Sequence, residues 1–175
     1  MKLYTARHGE TEWNALNKVL GRTDAELNEN GSLGARKLAD RLENTDIQLV
    51  ITSPLQRAYI TGKTVADRLK IPCRTDDRLI EQNYGIYEGV DRDDPAYQKA
   101  KREYFARYPQ GESFLDVAAR VYPFLEELKT LQEKSVLLLT HGGILRVIHS
   151  YFADMDNEEF VTFNTPNCGY REYDL

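Results

Sequence analysis

The 175-residue sequence is poor in the groups that most often do chemistry: it has three histidines, two cysteines and one tryptophan. Cys73 and Cys168 stand far apart with no ligand spacing for zinc, which excludes a disulfide framework and reads as two free thiols. An excess of positive charge is also missing. The formal charge is −5, so nothing draws the chain generally toward nucleic acid or an anionic membrane, and any bound anion must be held by a local cluster of cations. No apolar run is long enough to span a bilayer. Met1-Lys2-Leu3-Tyr4 enters a strand-like pattern without a charged leader and apolar signal core, so a cytoplasmic protein is expected, with no membrane partner. Hydrophobic residues at 41% and charged residues at 29% exclude disorder and fibrous repeats, and the length fits one compact domain over residues 1–175.

What is present alternates between strand and helix. Residues 2–6 read as a strand. A loop leads to a helix from about Ser32 to Glu43, with Leu33, Ala35, Leu38, Ala39 and Leu42 at roughly helical spacing. The β-branched run from Ile47 is a buried strand, and Ser53-Pro54 fits the cap and first position of a helix reaching Leu69. Residues 78–90 are loop-like around Gly85 and Gly89. Asp94-Pro95 opens a second helix expected to reach Pro109; Ser113 with Asp116 resembles a capping box opening a third, with Leu115, Ala118, Val121, Leu125 and Leu128 on one face. Pro123 predicts a kink or break near 119–122, with the helix resuming after it. Residues 135–140, SVLLLT, form the clearest central strand; His141-Gly142-Gly143 and a helix through about Phe152 follow, and one or two edge strands are expected from Glu159. This alternation predicts an α/β architecture with a largely parallel sheet, whose ligands sit beyond the carboxyl ends of the strands.

Three polar clusters fall at that edge. Arg7 supplies a planar fork for phosphate oxygens, Gly9 allows close backbone approach to a ligand, and a neutral imidazole at His8 is a nucleophile near neutral pH. Arg57, one turn into a helix after a strand, reaches a phosphate held by Arg7, and two guanidinium groups nearly neutralise a phosphate dianion. His141 follows the best strand, and Gly142 and Gly143 permit a tight turn into a helix whose free N–H groups favour an anion. Transfer from phosphate to a neutral nucleophile requires protonation of the leaving oxygen. Glu81, before a glycine-bounded turn, is the candidate, with Glu88 as its competitor.

The stretches ARHGETEWN, TSPLQRAYIT, LIEQNYGIYEG, PQGES and LLLTHGGILR, in this order, resemble those of the histidine phosphatase superfamily, also called phosphoglycerate-mutase-like. The resemblance covers nearly the whole chain. It implies a three-layer sandwich with a mixed, mainly parallel sheet and a small cap at residues 90–113. It also implies a covalent phosphohistidine on His8, a phosphate pocket of Arg7, Arg57 and His141 with Asn14 assisting, and Glu81 as proton donor. No metal or organic cofactor is expected. The activity implied is hydrolysis of a small phosphomonoester: a sugar phosphate, phosphoserine, a nucleotide or α-ribazole phosphate. A phosphoglycerate mutase and a catalytically silent phospholigand-binding module are the alternatives. A mutase needs a larger enclosing insertion than residues 82–140 supply. Oligomeric state stays open between monomer and homodimer.

Other conspicuous features have plain readings. Asp91 to Asp94 form a solvated loop ending in a helix cap, and His149 has a packing or surface role. Tyr97, Tyr104, Phe105 and Tyr108 pack their helix onto the domain rather than line a substrate entrance. Lys99, Lys101, Arg102 and Arg107 are expected to face solvent.

Overall fold

The computed structural model describes residues 1–175. Five strands form one sheet in the order β3-β2-β4-β1-β5. They are β1 (Lys2–Arg7), β2 (Leu49–Thr52), β3 (Cys73–Thr75), β4 (Ser135–Thr140) and β5 (Tyr170–Asp174). Only β5, at the edge against β1, runs antiparallel. Strands β2 and β4 are buried along their whole length, because helices cover both faces, and a sheet covered twice requires the continuous apolar runs seen at 49–52 and 135–140.

Side chains alternate between the two faces and so build two cores. Leu3, Ile51, Val136 and Leu138 pack against α5 (Phe114–Leu128) and α6 (Gly142–Phe152). Tyr4, Ala6, Val50, Leu137 and Leu139 pack against α2 (Glu29–Leu42) and α3 (Gln56–Leu69). The result is the expected three-layer α/β domain. No helix is long and apolar enough to cross a membrane. Cys73 and Cys168 are free thiols.

Several element boundaries differ from expectation. Helix α2 starts at Glu29, because Asn28 takes the cap and its side chain accepts from Gly31 N at 2.8 Å; Leu33 lies exposed rather than in the core. Helix α3 starts at Gln56 with Leu55 at the cap position and no side-chain cap. Ser53 is spent elsewhere, on His141. The short α4 (Pro95–Ala100) is capped by Asp94 as expected, yet ends well before Pro109. Residues 104 and 108 would share one face of a helix. Here Tyr104 packs on Phe114 and Phe160, while Tyr108 joins Tyr84, Tyr87 and Tyr97, and one helix cannot serve both clusters.

Helix α5 runs through Pro123 without the expected break. Proline removes one hydrogen bond and crowds the preceding turn, at about 3 kcal/mol. Burial of Phe124, Leu125 and Leu128 beyond it offsets that at roughly 1.5–3 kcal/mol each. The buried face carries Phe114 and Val117, and Leu115 is 58% exposed. Near the end, a capping box at Asp156 and Glu159 starts α7 (Asn157–Thr162) where a strand was expected, and β5 alone follows. The three-residue β3, half exposed, was not anticipated.

Candidate active site

Sheet register assembles the site. Strands β1 and β4 pair in parallel from Lys2 with Ser135 to Arg7 with Thr140, so His8 and His141 leave adjacent strands at the same level. Strand β2 pairs Thr52 with Leu139 and delivers Ser53 beside them. The His8 and His141 ring centroids are 5.1 Å apart.

Both rings are buried and hydrogen-bonded in ways that fix them. His8 Nδ1 lies 2.6 Å from the carbonyl oxygen of Gly9. A carbonyl only accepts, so Nδ1 carries the proton and Nε2 keeps its lone pair. His141 Nε2 lies 2.8 Å from Ser53 Oγ, and its buried Nδ1 has no partner. Burial first, then the positive charge of Arg57 and Arg7, holds both imidazoles well below the usual histidine range, His141 being depressed by His8 as well. They are neutral at pH 7.

The cations are anchored by carbonyls rather than carboxylates. Arg57, wholly buried, donates Nη1 to Thr23 O at 2.8 Å and Nη2 to Gly21 O at 2.6 Å. Arg7 donates Nη1 to Thr165 O at 2.8 Å and Asn164 Oδ1 at 3.3 Å. In each arginine the buried Nε has no partner. Burial lowers both guanidinium groups, Arg7 to about 10. Asn14, in the one-turn α1 (Glu12–Ala15), uses its carbonyl oxygen to accept from Thr11 N and Asn167 Nδ2, which leaves its buried Nδ2 unpaired. Two guanidinium N–H groups, one imidazole nitrogen and one amide thus stand unsatisfied around His8. Buried donors without partners are costly, and an anion bearing several oxygens satisfies them together.

Glu81 is buried, with Oε1 accepting from Gln82 N at 2.8 Å and Oε2 from Gly143 N at 3.1 Å. Its competitor Glu88 is occupied elsewhere. It accepts from Arg22 N, Thr23 N and Thr23 Oγ1, and so shapes the loop whose carbonyls hold Arg57. Glu112 of the PQGES stretch ties Arg22 and Arg120 to Asn83 N, bracing the loop that carries Glu81, while Ser113 caps α5. Gly9 has a different task from the one expected. A Cβ there would lie 2.5 Å from Gly31 O, so the bare Cα admits the first turn of α2, not a ligand. Asp91 and Asp93 accept from Asn17, and His149 stacks on Phe163 with Nδ1 3.0 Å from Tyr173 OH.

A cleft is lined on one side by Arg7, Glu81, Gly142 and Gly143, while His8, Arg57, His141 and Asn14 do not reach its lining. Its outer wall holds Arg92, Tyr97, Lys101 and Arg146. Tyr97 therefore packs and lines the cleft at once, Phe105 is 81% exposed, and Lys101 faces the cleft rather than open solvent. Arg102 and Arg107 are exposed but ion-paired, to Glu158 and Asp116. Sequence reasoning missed Ser53, Arg92, Arg146 and Asn167. Asn167 donates to His8 O at 3.0 Å as well as to Asn14, and nothing local marks it.

This five-stranded, mainly parallel sheet between two layers of helices is a fold that the comparisons with known proteins recognise. The family profile of the histidine phosphatase superfamily (branch 1) matches residues 3–175, and the chain belongs to that family. Phosphoserine phosphatase 1 of Hydrogenobacter thermophilus is 29% identical, the alignment covering 97% of this chain and 84% of that protein. A probable phosphoglycerate mutase of Yersinia pestis is 31% identical over 99% of this chain and 85% of its own length. Among solved structures, mycobacterial glucosyl-3-phosphoglycerate phosphatase in complex with VO3 superposes with a TM-score of 0.86 at 29% identity, covering 98% of this chain and 90% of that one. Family, fold and the phosphatases among its relatives make this chain a phosphatase enzyme.

Proposed function

We propose that the protein is a cytoplasmic phosphomonoester hydrolase working through a covalent phosphohistidine on His8. The observation that carries this reading is the His8 ring: Nδ1–H is held by the Gly9 carbonyl, so Nε2 presents a lone pair, while three buried N–H groups, Arg7 Nε, Arg57 Nε and Asn14 Nδ2, and the Nδ1 of His141 stand without partners. In the first transfer Nε2 attacks phosphorus while the P–O bond to the alcohol breaks and Glu81 protonates the departing oxygen. In the second, water attacks the phosphohistidine, Glu81 takes its proton and inorganic phosphate leaves. Arg7 Nε, Arg57 Nε, His141 Nδ1 and Asn14 Nδ2 meet the equatorial oxygens, with Gly142 at the start of α6 beside them, and stabilise charge through both steps. A neutral His8 gains most from this, since no proton must be removed before attack.

The mutase alternative is favoured by the name of the Yersinia relative. A mutase must shield the phosphohistidine from water until a second hydroxyl arrives. Against that, residues 90–113, which we regard as a small cap, hold only the short α4. The test is incubation with 3-phosphoglycerate primed by 2,3-bisphosphoglycerate, followed by phosphorus NMR. Free phosphate without accumulated 2-phosphoglycerate is expected; isomerisation outrunning hydrolysis overturns the phosphatase assignment. Mass spectrometry after alkaline denaturation, which preserves phosphohistidine, checks that the label sits on His8.

A further inference from the structure

The two buried imidazoles of the site rest on partners of different hydrogen-bonding sense. His8 Nδ1 meets the Gly9 carbonyl, which only accepts. His141 Nε2 meets the Ser53 hydroxyl, which accepts or donates. The direction of that second bond follows from what else surrounds the hydroxyl. Ser53 is fully buried just beyond β2, where its N–H donates to Leu139 O at 3.0 Å and so holds the side chain beside the first residue after β4. Its Oγ already accepts from Leu55 N at 3.3 Å, and His141 Nε2, at 2.8 Å, is the one acceptor its hydroxyl hydrogen has.

Two arrangements compete, and they differ in how many buried groups they strand. With the shared hydrogen on Nε2, the Ser53 O–H has no acceptor, and His141 Nδ1, buried and without a partner, is a bare lone pair. With the hydrogen on Ser53, Nε2 is satisfied and only the N–H at Nδ1 is left open. Each stranded buried group is costly, so the second arrangement is favoured. That open N–H is also a group a phosphoryl oxygen satisfies, whereas a lone pair there would repel one. Burial and the nearby arginines keep His141 neutral, so it has a single hydrogen to place. We propose that Ser53 is a positioning residue that donates to His141 Nε2 and thereby fixes the Nδ1–H tautomer, making His141 a donor to the phosphoryl group. Both histidines then share one tautomer and turn different nitrogens to the substrate, His8 its lone pair and His141 its hydrogen. The part played in turnover rests on the hydrolase reading above; the tautomer does not.

Long-range proton–nitrogen NMR reads the tautomer directly, and with three histidines in the chain, His8→Ala and His149→Gln suffice to assign the signals. In resting wild type at pH 7, His141 is expected to show a pyrrole-type nitrogen at Nδ1 and a pyridine-type nitrogen at Nε2. The reverse pattern overturns the proposal. Ser53→Ala, with its thermal midpoint checked, should let the Nε2–H form appear in the free protein and weaken binding of inorganic phosphate by about 10-fold, the range of one neutral hydrogen bond. An unchanged tautomer together with unchanged phosphate affinity in Ser53→Ala also overturns it. Ser53→Thr keeps the hydroxyl and should restore the wild-type spectrum and affinity, which a role in packing alone does not predict. Should Ser53→Thr fail to fold, the wild-type spectrum decides. None of these measurements needs turnover. A His141 signal of the Nδ1–H type in a protein that releases no phosphate from phosphomonoesters therefore counts against the hydrolase reading and supports the assignment of Ser53.

Discussion

The inner and outer ends of the cleft are built on opposite terms. At the inner end, sheet register and carbonyl anchors hold Arg7, His8, Arg57 and His141 with almost no freedom, and the unpaired atoms are few and buried. At the outer end, Arg92 and Lys101 project from a stretch that is helical only over Pro95–Ala100, and their charged heads are barely held. One end is fixed by the fold and the other by where a short irregular segment happens to lay its side chains. Such a division lets the phosphoryl chemistry stay constant while selection among esters varies.

The sharpest way to break this contrast is at its rigid end. His8→Ala should lower turnover by about 10⁴-fold or more while the thermal midpoint stays near wild type, because it removes the atom we propose as the nucleophile. Retained turnover means the nucleophile lies elsewhere. Glu81→Gln comes next. It should slow alkyl phosphate esters by roughly 10²- to 10⁴-fold and aryl esters much less, whose leaving groups need little protonation. Equal losses for both classes would take the acid role away from Glu81.

At the outer end the expected effect is smaller and depends on pH. Arg92, Arg146 and Arg102 surround Lys101, with Glu158 the one opposing charge, and its ammonium titrates near 8. Neutral Lys101 attracts an anion less, so KM for a phosphomonoester should rise as pH passes 8 in wild type and not in Lys101→Gln. A rise that persists in the variant contradicts this.

The smallest effect is on stability. His8 and His141 stay neutral in the folded protein below 6.5, where unfolded histidines take up protons. The unfolded state then binds more protons, so stability should fall with acidification below pH 6.5, by about 1.4 kcal/mol per pH unit for each histidine, until the folded values are reached. Burial and Arg171 hold His149 low as well, so urea melts at stepped pH should show a slope that His8→Ala lowers by one histidine's share. An unchanged slope would mean His8 is not buried as a neutral ring.

The same contrast explains what the sequence made legible. Strands at 49–52 and 135–140 announce themselves because burial on both faces demands nearly unbroken apolar runs, and polar residues of the inner site follow them, as Arg7 ends and His8 follows the mixed strand KLYTAR. Arg7, His8, Arg57 and His141 stand out for that reason, whereas Glu81 follows no such strand and is suggested by the need for a proton donor. The stretch 101–109 misleads because its composition favours helix while Tyr104 and Tyr108 are claimed by different aromatic clusters, a tertiary fact. Placing Lys101 in solvent followed from extending that helix. The sequence assigns Gly9 to a ligand and Ser53 to a local cap, yet their partners, Gly31 and His141, are distant in sequence.

The return of residues 164–169 beneath the first strand has a further consequence, for the order in which the molecule becomes active. Arg7 is held by Thr165 across 158 positions, and the His8 carbonyl by Asn167 across 159. Contacts of such separation close late, after the entropy of a nearly chain-length loop has been overcome. During refolding the central strands and their helices therefore assemble first, around a nucleophile whose surroundings are still unformed, and enzymatic activity should lag behind the recovery of helical circular dichroism.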